Sequence, residues 1–179
     1  MKERSDEDLV TACLEGDGSS FAELVDRYQI KIFNAAYRIT GNRVDSQDVA
    51  QAVFLKAYEK LEQFDRRYRF FSWIYKITVN EALNLIAKRQ SSGDLEHEMT
   101  DSGADPERQA QGREIGRAIH EAVLGLRPPL RVAIVLRHFH GMSYLEMSEV
   151  TGVPVKTVKS RLFTARRELR LSLGRSGLR

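Results

Sequence analysis

The strongest constraint on this chain is the run from Gly141 to Arg167, whose punctuation permits little except two short helices joined by a tight turn. Ser143 and Glu146 stand at the S-x-x-E spacing of a capping box, in which each side chain accepts a backbone N–H at a helix start. Gly152 supplies the left-handed position that ends that helix, and Pro154 sits just inside the next. The second helix carries an apolar stripe, Val155, Val158, Leu162, Ala165 and Leu169, at spacings of three and four. At about 100° per residue, Lys156, Ser160, Phe163 and Arg167 fall on the opposite side. Lys159, Arg166 and Arg170 flank that face on one edge, with Thr157, Arg161 and Thr164 on the other. A helix packed on one side, with cations, hydroxyls and a ring on the other, suits a DNA major groove. There the cations hold phosphates while short hydroxyls and the ring approach base edges.

Charge divides the chain in two. Residues 113–179 hold 13 Lys/Arg against 5 Asp/Glu, a balance of +8, whereas residues 1–112 hold 15 against 20, a balance of −5. The C-terminal part is a basic module of the kind that binds nucleic acid, and the N-terminal part is acidic. Opposite-signed halves point to two different jobs. No apolar run approaches the roughly 18 residues of a membrane span, and Met1–Asp8 lacks the apolar core of a secretion signal, so a cytoplasmic protein is expected. The lone Cys13 excludes an intramolecular disulfide framework and reads as a small apolar group.

Between the halves, Ser91–Gly112 is polar, contains Gly and Ser, and carries six acids against one Arg. Such a stretch cannot bury enough apolar area to offset its ordering entropy and reads as a flexible linker between two domains, 1–90 and 113–179. It serves either as a plain tether or as an acidic strand that occupies a nucleic-acid channel; the residues favour neither.

The N-terminal part reads as helical throughout. One helix spans about Asp6–Glu15. A second begins near Ser19 or Ser20, with Glu23 placed for a capping box, and ends at Gly41-Asn42. A third runs from about Asp45 toward Phe64. A fourth runs from about Phe71 to Arg89, with Ile74, Ile77, Leu83 and Ile86 as its expected core. No strand-like alternation interrupts the pattern, so the fold class is all-α: two small helical domains, the C-terminal one a helix-turn-helix. Between the third and fourth helices, Phe64–Lys76 interleaves Arg66, Arg67 and Arg69 with Tyr68, Phe70, Phe71, Trp73 and Tyr75. Cations that track a backbone, beside rings that stack on unpaired bases for about 1–3 kcal/mol each, form a single-strand platform. Phe71, Trp73 and Tyr75 equally suit a core, but three arginines in four residues are not a packing requirement.

Several segments together resemble the bacterial sigma factors of the extracytoplasmic-function group, the small class with only the second and fourth domains. They are Phe21–Tyr28, Asp45–Tyr58, Phe71–Asn80, Leu126–Val132, Leu136-Arg137 and Gly141–Arg166, and the resemblance covers about residues 20–90 and 113–173. It implies that the helix around Asp45, Asp48, Gln51 and Phe54 docks on the largest subunit of RNA polymerase. It implies that the loop with Arg66, Arg67, Tyr68 and Arg69, together with Trp73, Lys76 and Asn80, captures flipped bases of the −10 element. It implies that the second helix of the C-terminal motif reads the −35 element, with Lys159, Ser160, Phe163 and Thr164 near base edges and backbone. Lys156, Arg161 and Arg167 join them on that helix, and Arg137 and Tyr144 match phosphate contacts. The implied partners are core RNA polymerase, promoter DNA and an anti-sigma factor that wedges between two loosely tethered domains; no cofactor, metal or catalytic residue is implied.

The chain departs from the family pattern at Ala52 (usually Glu), Lys156 (usually Gly), Ser148 (a small Ala), Thr151 (a leucine-like residue, expected to loosen its helix) and Thr164 (often Arg). Two rival readings are a stand-alone helix-turn-helix regulator, which leaves the arginine–aromatic loop unused, and a small helical enzyme. The enzyme would have to use His138 and His140, which at i, i+2 point to different helix faces and have no carboxylate or cysteine at ligand spacing.

Overall fold

A computed structural model describes residues 4–92 and 110–175, which contain helices and no strand. Eight α-helices form two bundles. The first holds α1 (Asp6–Leu14), α2 (Gly18–Thr40), α3 (Arg43–Glu59) and α4 (Phe70–Ser92), with a single 3-10 turn at Leu61–Gln63. The second holds α5 (Ala110–Leu124), α6 (Pro128–Ile134), α7 (Tyr144–Thr151) and α8 (Val155–Arg175). Ser91 and Ser92 end α4, and Ala110–Gly112 begin α5, so both ends of the expected linker are helical. Its middle, 93–109, lies outside the described residues.

Local chemistry accounts for most boundaries. Ser5 and Asp8 form a reciprocal capping box that starts α1. The start of α2 differs from the expected box at Glu23: Asp17 is the N-cap, accepting from the Ser19 N–H and the Ser19 and Ser20 hydroxyls. Those bonds to the ionised carboxylate lower its pKa to about 2. Gly41, at φ 79°, closes α2 in the left-handed region, and Asn42 caps α3 through the Asp45 N–H.

Leu24, Ile32, Ile39, Val53, Phe70 and Ile74 in the first bundle and Val135, Leu136, Met147, Val158 and Leu162 in the second are fully buried or nearly so and belong to one continuous apolar cluster. Each such side chain contributes about 1.5–3 kcal/mol by leaving water. The core face of α4 differs from the expected one. Ile74 is buried, but its companions are Tyr75, Val79 and Ala82, while Ile77, Leu83 and Ile86 are only partly covered. α4 is apolar on more than one side, so spacing alone does not single out the buried stripe.

The two bundles are packed against each other instead of adopting the many relative orientations expected of loosely tethered domains. Specific contacts between the described residues form the seam. The Arg131 guanidinium on α6 donates to the Ile39 carbonyl at the end of α2. Leu124 lies against Gly41, where a Cβ would come within 2.9 Å of its methyl groups. Tyr37 stacks on His120, and the Arg38 guanidinium covers the Phe139 ring at 4.3 Å. Tyr75 on α4 bonds His140, and Arg69 pairs with Glu146 of α7 at 2.8 Å.

A candidate nucleic-acid interface

In the C-terminal bundle the capping box at Ser143 and Glu146 is formed, and Gly152 at φ 68° ends α7. Ser148 adds a bond that spacing does not reveal: its hydroxyl donates to the Val153 carbonyl at 2.6 Å and fastens the turn. Thr151, expected to loosen α7, donates its hydroxyl to the Met147 carbonyl and keeps its polar group satisfied inside the helix. Val158, Leu162 and Ala165 are buried under α8, with Val155 and Leu169 half-buried at the ends of the stripe. Packing against α6 and α7 therefore sets the rotation of α8.

That rotation leaves Lys156, Lys159, Ser160, Phe163 and Arg167 exposed, with Phe163 at 70% of its full surface. Arg161 and Thr164 are half-buried on the flank. Tyr144, at the start of α7, is covered by two cations: Arg137 lies 5.0 Å and Lys159 5.6 Å from its ring centroid. Arg137 reaches this place because the helix after Ile134 widens into a π turn over Val135–Phe139, and its Nη1 donates to the Met142 carbonyl at 2.6 Å. The π turn has no sequence signal. It also separates the two histidines. His138 accepts from Arg166 at 3.4 Å on the outer face, and His140 turns into the seam. Among the described residues no group of His, Cys, Asp and Glu is placed to hold a metal ion.

In the N-terminal bundle the arginine–aromatic segment splits into an outer and an inner layer. Arg66, Arg67, Tyr68 and Arg69 are exposed, as are Lys76 and Asn80 along α4, and Trp73 is half-buried. Phe64, Phe70 and Trp73 form a cluster with centroids 5.1–5.9 Å apart, and Tyr75 is fully buried. Arg67 forks onto Asp65 with bonds of 2.6–3.0 Å, which lower the Asp65 pKa and tighten the loop.

On α3, Asp48 and Gln51 are exposed, while Phe54 is half-buried against the core. Asp45 turns inward: 4% exposed, it pairs with Arg89 at 2.5 Å and ties the start of α3 to the end of α4. Burial raises its pKa against the pull of Arg89. Leu55 and Tyr58, both 58% exposed, extend the outer face of α3, though their apolar character gave no cue that they face outward.

Comparison with known proteins agrees with this geometry. The Sigma-70 region 2 family matches residues 24–92, and the Sigma-70 region 4 family matches residues 116–169. The chain is 32% identical to the ECF RNA polymerase sigma factor SigW of Bacillus subtilis over 171 residues, covering 89% of this chain and 91% of that one. The chain belongs to the ECF RNA polymerase sigma factors. This sigma factor is also 35% identical to the RNA polymerase sigma-H factor of Pseudomonas aeruginosa, over 93% of its own length and 92% of the relative's. Among solved structures it resembles CnrH in complex with the cytosolic domain of CnrY, with a TM-score of 0.74, 27% identity and coverage of 96% and 98%. It shares the fold of the sigma factor RpoE of Bartonella quintana, solved with the anti-sigma factor NepR, at a TM-score of 0.70, 23% identity and coverage of 86% and 96%. As a sigma factor it binds core RNA polymerase and directs initiation at promoters with −35 and −10 elements. The reading as a stand-alone helix-turn-helix regulator is not favoured. Among the described residues no helix is long and apolar enough to cross a membrane.

Proposed function

We propose a division of labour in which α8 reads the −35 element, the loop Asp65–Arg69 with the adjoining face of α4 handles the −10 element, and α3 docks on the polymerase. The observation that carries this reading is the face of α8, where Lys156, Lys159, Ser160, Phe163 and Arg167 are exposed over a buried stripe. The cations supply phosphate contacts, and Ser160 and Phe163 supply base contacts. Arg137 and Tyr144 hold the flanking backbone, with Arg161 and Thr164 at the edge. In the N-terminal part, Arg66, Arg67 and Arg69 track the displaced strand, Tyr68 and Trp73 offer rings, and Lys76 and Asn80 line its exit along α4. Asp48 and Gln51 contact the polymerase directly, while Asp45 and Phe54 orient their helix from within. Residues 1–90 and 113–179 form the two functional domains, and the protein acts in the cytoplasm.

Control by an anti-sigma factor belongs to the same reading, supported by the likeness to an RpoE crystallised with one. Run-off transcription with purified core polymerase, followed by genome-wide mapping of start sites, tests the assignment. Start sites preceded by a shared −35 and −10 pair are expected. Failure to bind core polymerase, with tight binding to duplex DNA alone, would refute it.

A further inference from the structure

The seam between the bundles contains titratable groups that promoter recognition does not use. Tyr75 of α4 and His140, just beyond the π turn, meet at 2.7 Å from Oη to Nδ1, with their ring centroids 4.8 Å apart. The other ring nitrogen of His140, Nε2, is buried and without a hydrogen-bond partner. A neutral imidazole tolerates this arrangement. An imidazolium carries a proton on both nitrogens, and the Tyr75 oxygen can accept only one of them. The second histidine of the seam, His120 of α5, is stacked flat on Tyr37 at 4.8 Å.

The surrounding charges favour the neutral rings. From α2, Arg38 and Lys31 bear on His140, and Arg38 also bears on His120, joined there by Arg131 of α6. From α4 comes the phenol of Tyr75, which burial keeps protonated. Arg137 and His138 precede His140 on its own segment. Two carboxylates belong to the seam. Glu121 acts on His120 against the cations, and Glu146 of α7 is engaged by Arg69 and by the Ser143 N–H.

We propose that this seam is an acid-sensitive latch: it closes on neutral His140 and His120, and protonation of His140 parts the two bundles. What opening accomplishes rests on the promoter-reading assignment above. The −35 and −10 elements lie about 25 base pairs apart, or roughly 85 Å along the duplex. A compact body of this chain length measures only about 40 Å across. With Arg69 held on Glu146, the −10 loop touches the helix-turn-helix, and the closed form cannot read both elements at once.

The direction of the pH effect follows from the histidine. Burial, reinforced by Arg38 and Lys31, lowers His140 from 6.5 to about 4 in the closed form. The open form therefore gains protons first, so closure is undisturbed above about pH 7 and weakens as pH falls through 6.5 toward 4. At about pH 5 the open-to-closed ratio should be about 30-fold higher than at about pH 7.5. His120, also lowered by burial and by Arg38, acts in the same direction.

The test is single-molecule energy transfer in the full chain, between dyes on Lys60→Cys and Arg170→Cys in a Cys13→Ser background. The open-to-closed ratio should rise about 30-fold between about pH 7.5 and pH 5. His140→Gln, which cannot titrate, should remove most of that rise, and His140→Lys should open the chain at neutral pH with its helical circular dichroism intact. Unchanged transfer in the parent across this range would overturn the latch, as would a full response in His140→Gln. Core-polymerase pull-down at neutral pH reports on the promoter-reading assignment separately, because the latch can fail while core binding stands, and the reverse.

Discussion

The face of α8 and the loop before α4 are both basic, yet they hold their charge in opposite ways. On α8, none of Lys156, Lys159, Arg161, Arg166 and Arg167 is ion-paired to a carboxylate among the described residues. In the loop, Arg67 is forked onto Asp65 and Arg69 reaches across to Glu146, leaving Arg66 as the arginine without a salt bridge. On the proposed assignment, duplex DNA is already present when α8 meets it, so a face of cations without carboxylate partners can bind at once. Unpaired bases exist only after melting, and if the loop captures them as proposed, arginines resting on internal carboxylates can exchange these for phosphates at that moment. One surface is preformed and the other is held in reserve.

The comparison can be broken most directly at the loop. Replacing Arg66, Arg67 and Arg69 together by Ala should leave core binding intact and lower open-complex formation on duplex promoters by about 100-fold, with much of the loss recovered on a pre-melted bubble template, where the unstacking cost has already been met. Equal defects on duplex and bubble templates in a permanganate footprinting assay would place these arginines outside strand capture. On α8 the expected effects are smaller and divide by chemistry. Ser160→Ala and Phe163→Ala should change which −35 sequences are preferred, by about 1–3 kcal/mol per base contact. Lys159→Ala and Arg161→Ala should weaken binding to all sequences alike and flatten the salt dependence by about one unit each. Binding titrations over a −35 library at several salt concentrations separate the two; a uniform loss for all four variants would erase the distinction between base and phosphate contacts. The smallest effect is expected at Asp65. Asp65→Ala releases Arg67 from an exposed pair and should tighten binding to single-stranded −10 DNA about twofold, measured by fluorescence anisotropy. A weaker complex would mean that the pair shapes the loop instead of restraining its charge.

Much of this was readable from residue order, for identifiable reasons. Gly41 and Gly152 end their helices because each occupies a left-handed backbone position, and the Ser143–Glu146 box depends only on neighbours three residues apart. Local signals of that kind survive folding. They fail where two local solutions compete, as at Asp17 and Ser20, both able to cap α2. They fail again where a helix is apolar on several sides, as in α4. The seam was illegible because its bonds join residues 65 and 92 positions apart, at Tyr75–His140 and Ile39–Arg131. Asp45 belongs with it: its motif position suggested the surface, and only the approach of Arg89, 44 residues away, shows it turned inward.

Arg131 carries a consequence for the way the bundles separate. The residue is 8% exposed, and its guanidinium donates to the Leu124 and Leu126 carbonyls of its own bundle as well as to Ile39 across the seam. When the bundles part, only the Ile39 bond is surrendered, and two carbonyls still hold the group in its docking pose. The side chain neither swings out nor has to be found again, so little conformational search precedes the next closure. Opening then resembles unplugging a rigid connector, and return should be limited by the diffusive approach of two ready-made surfaces.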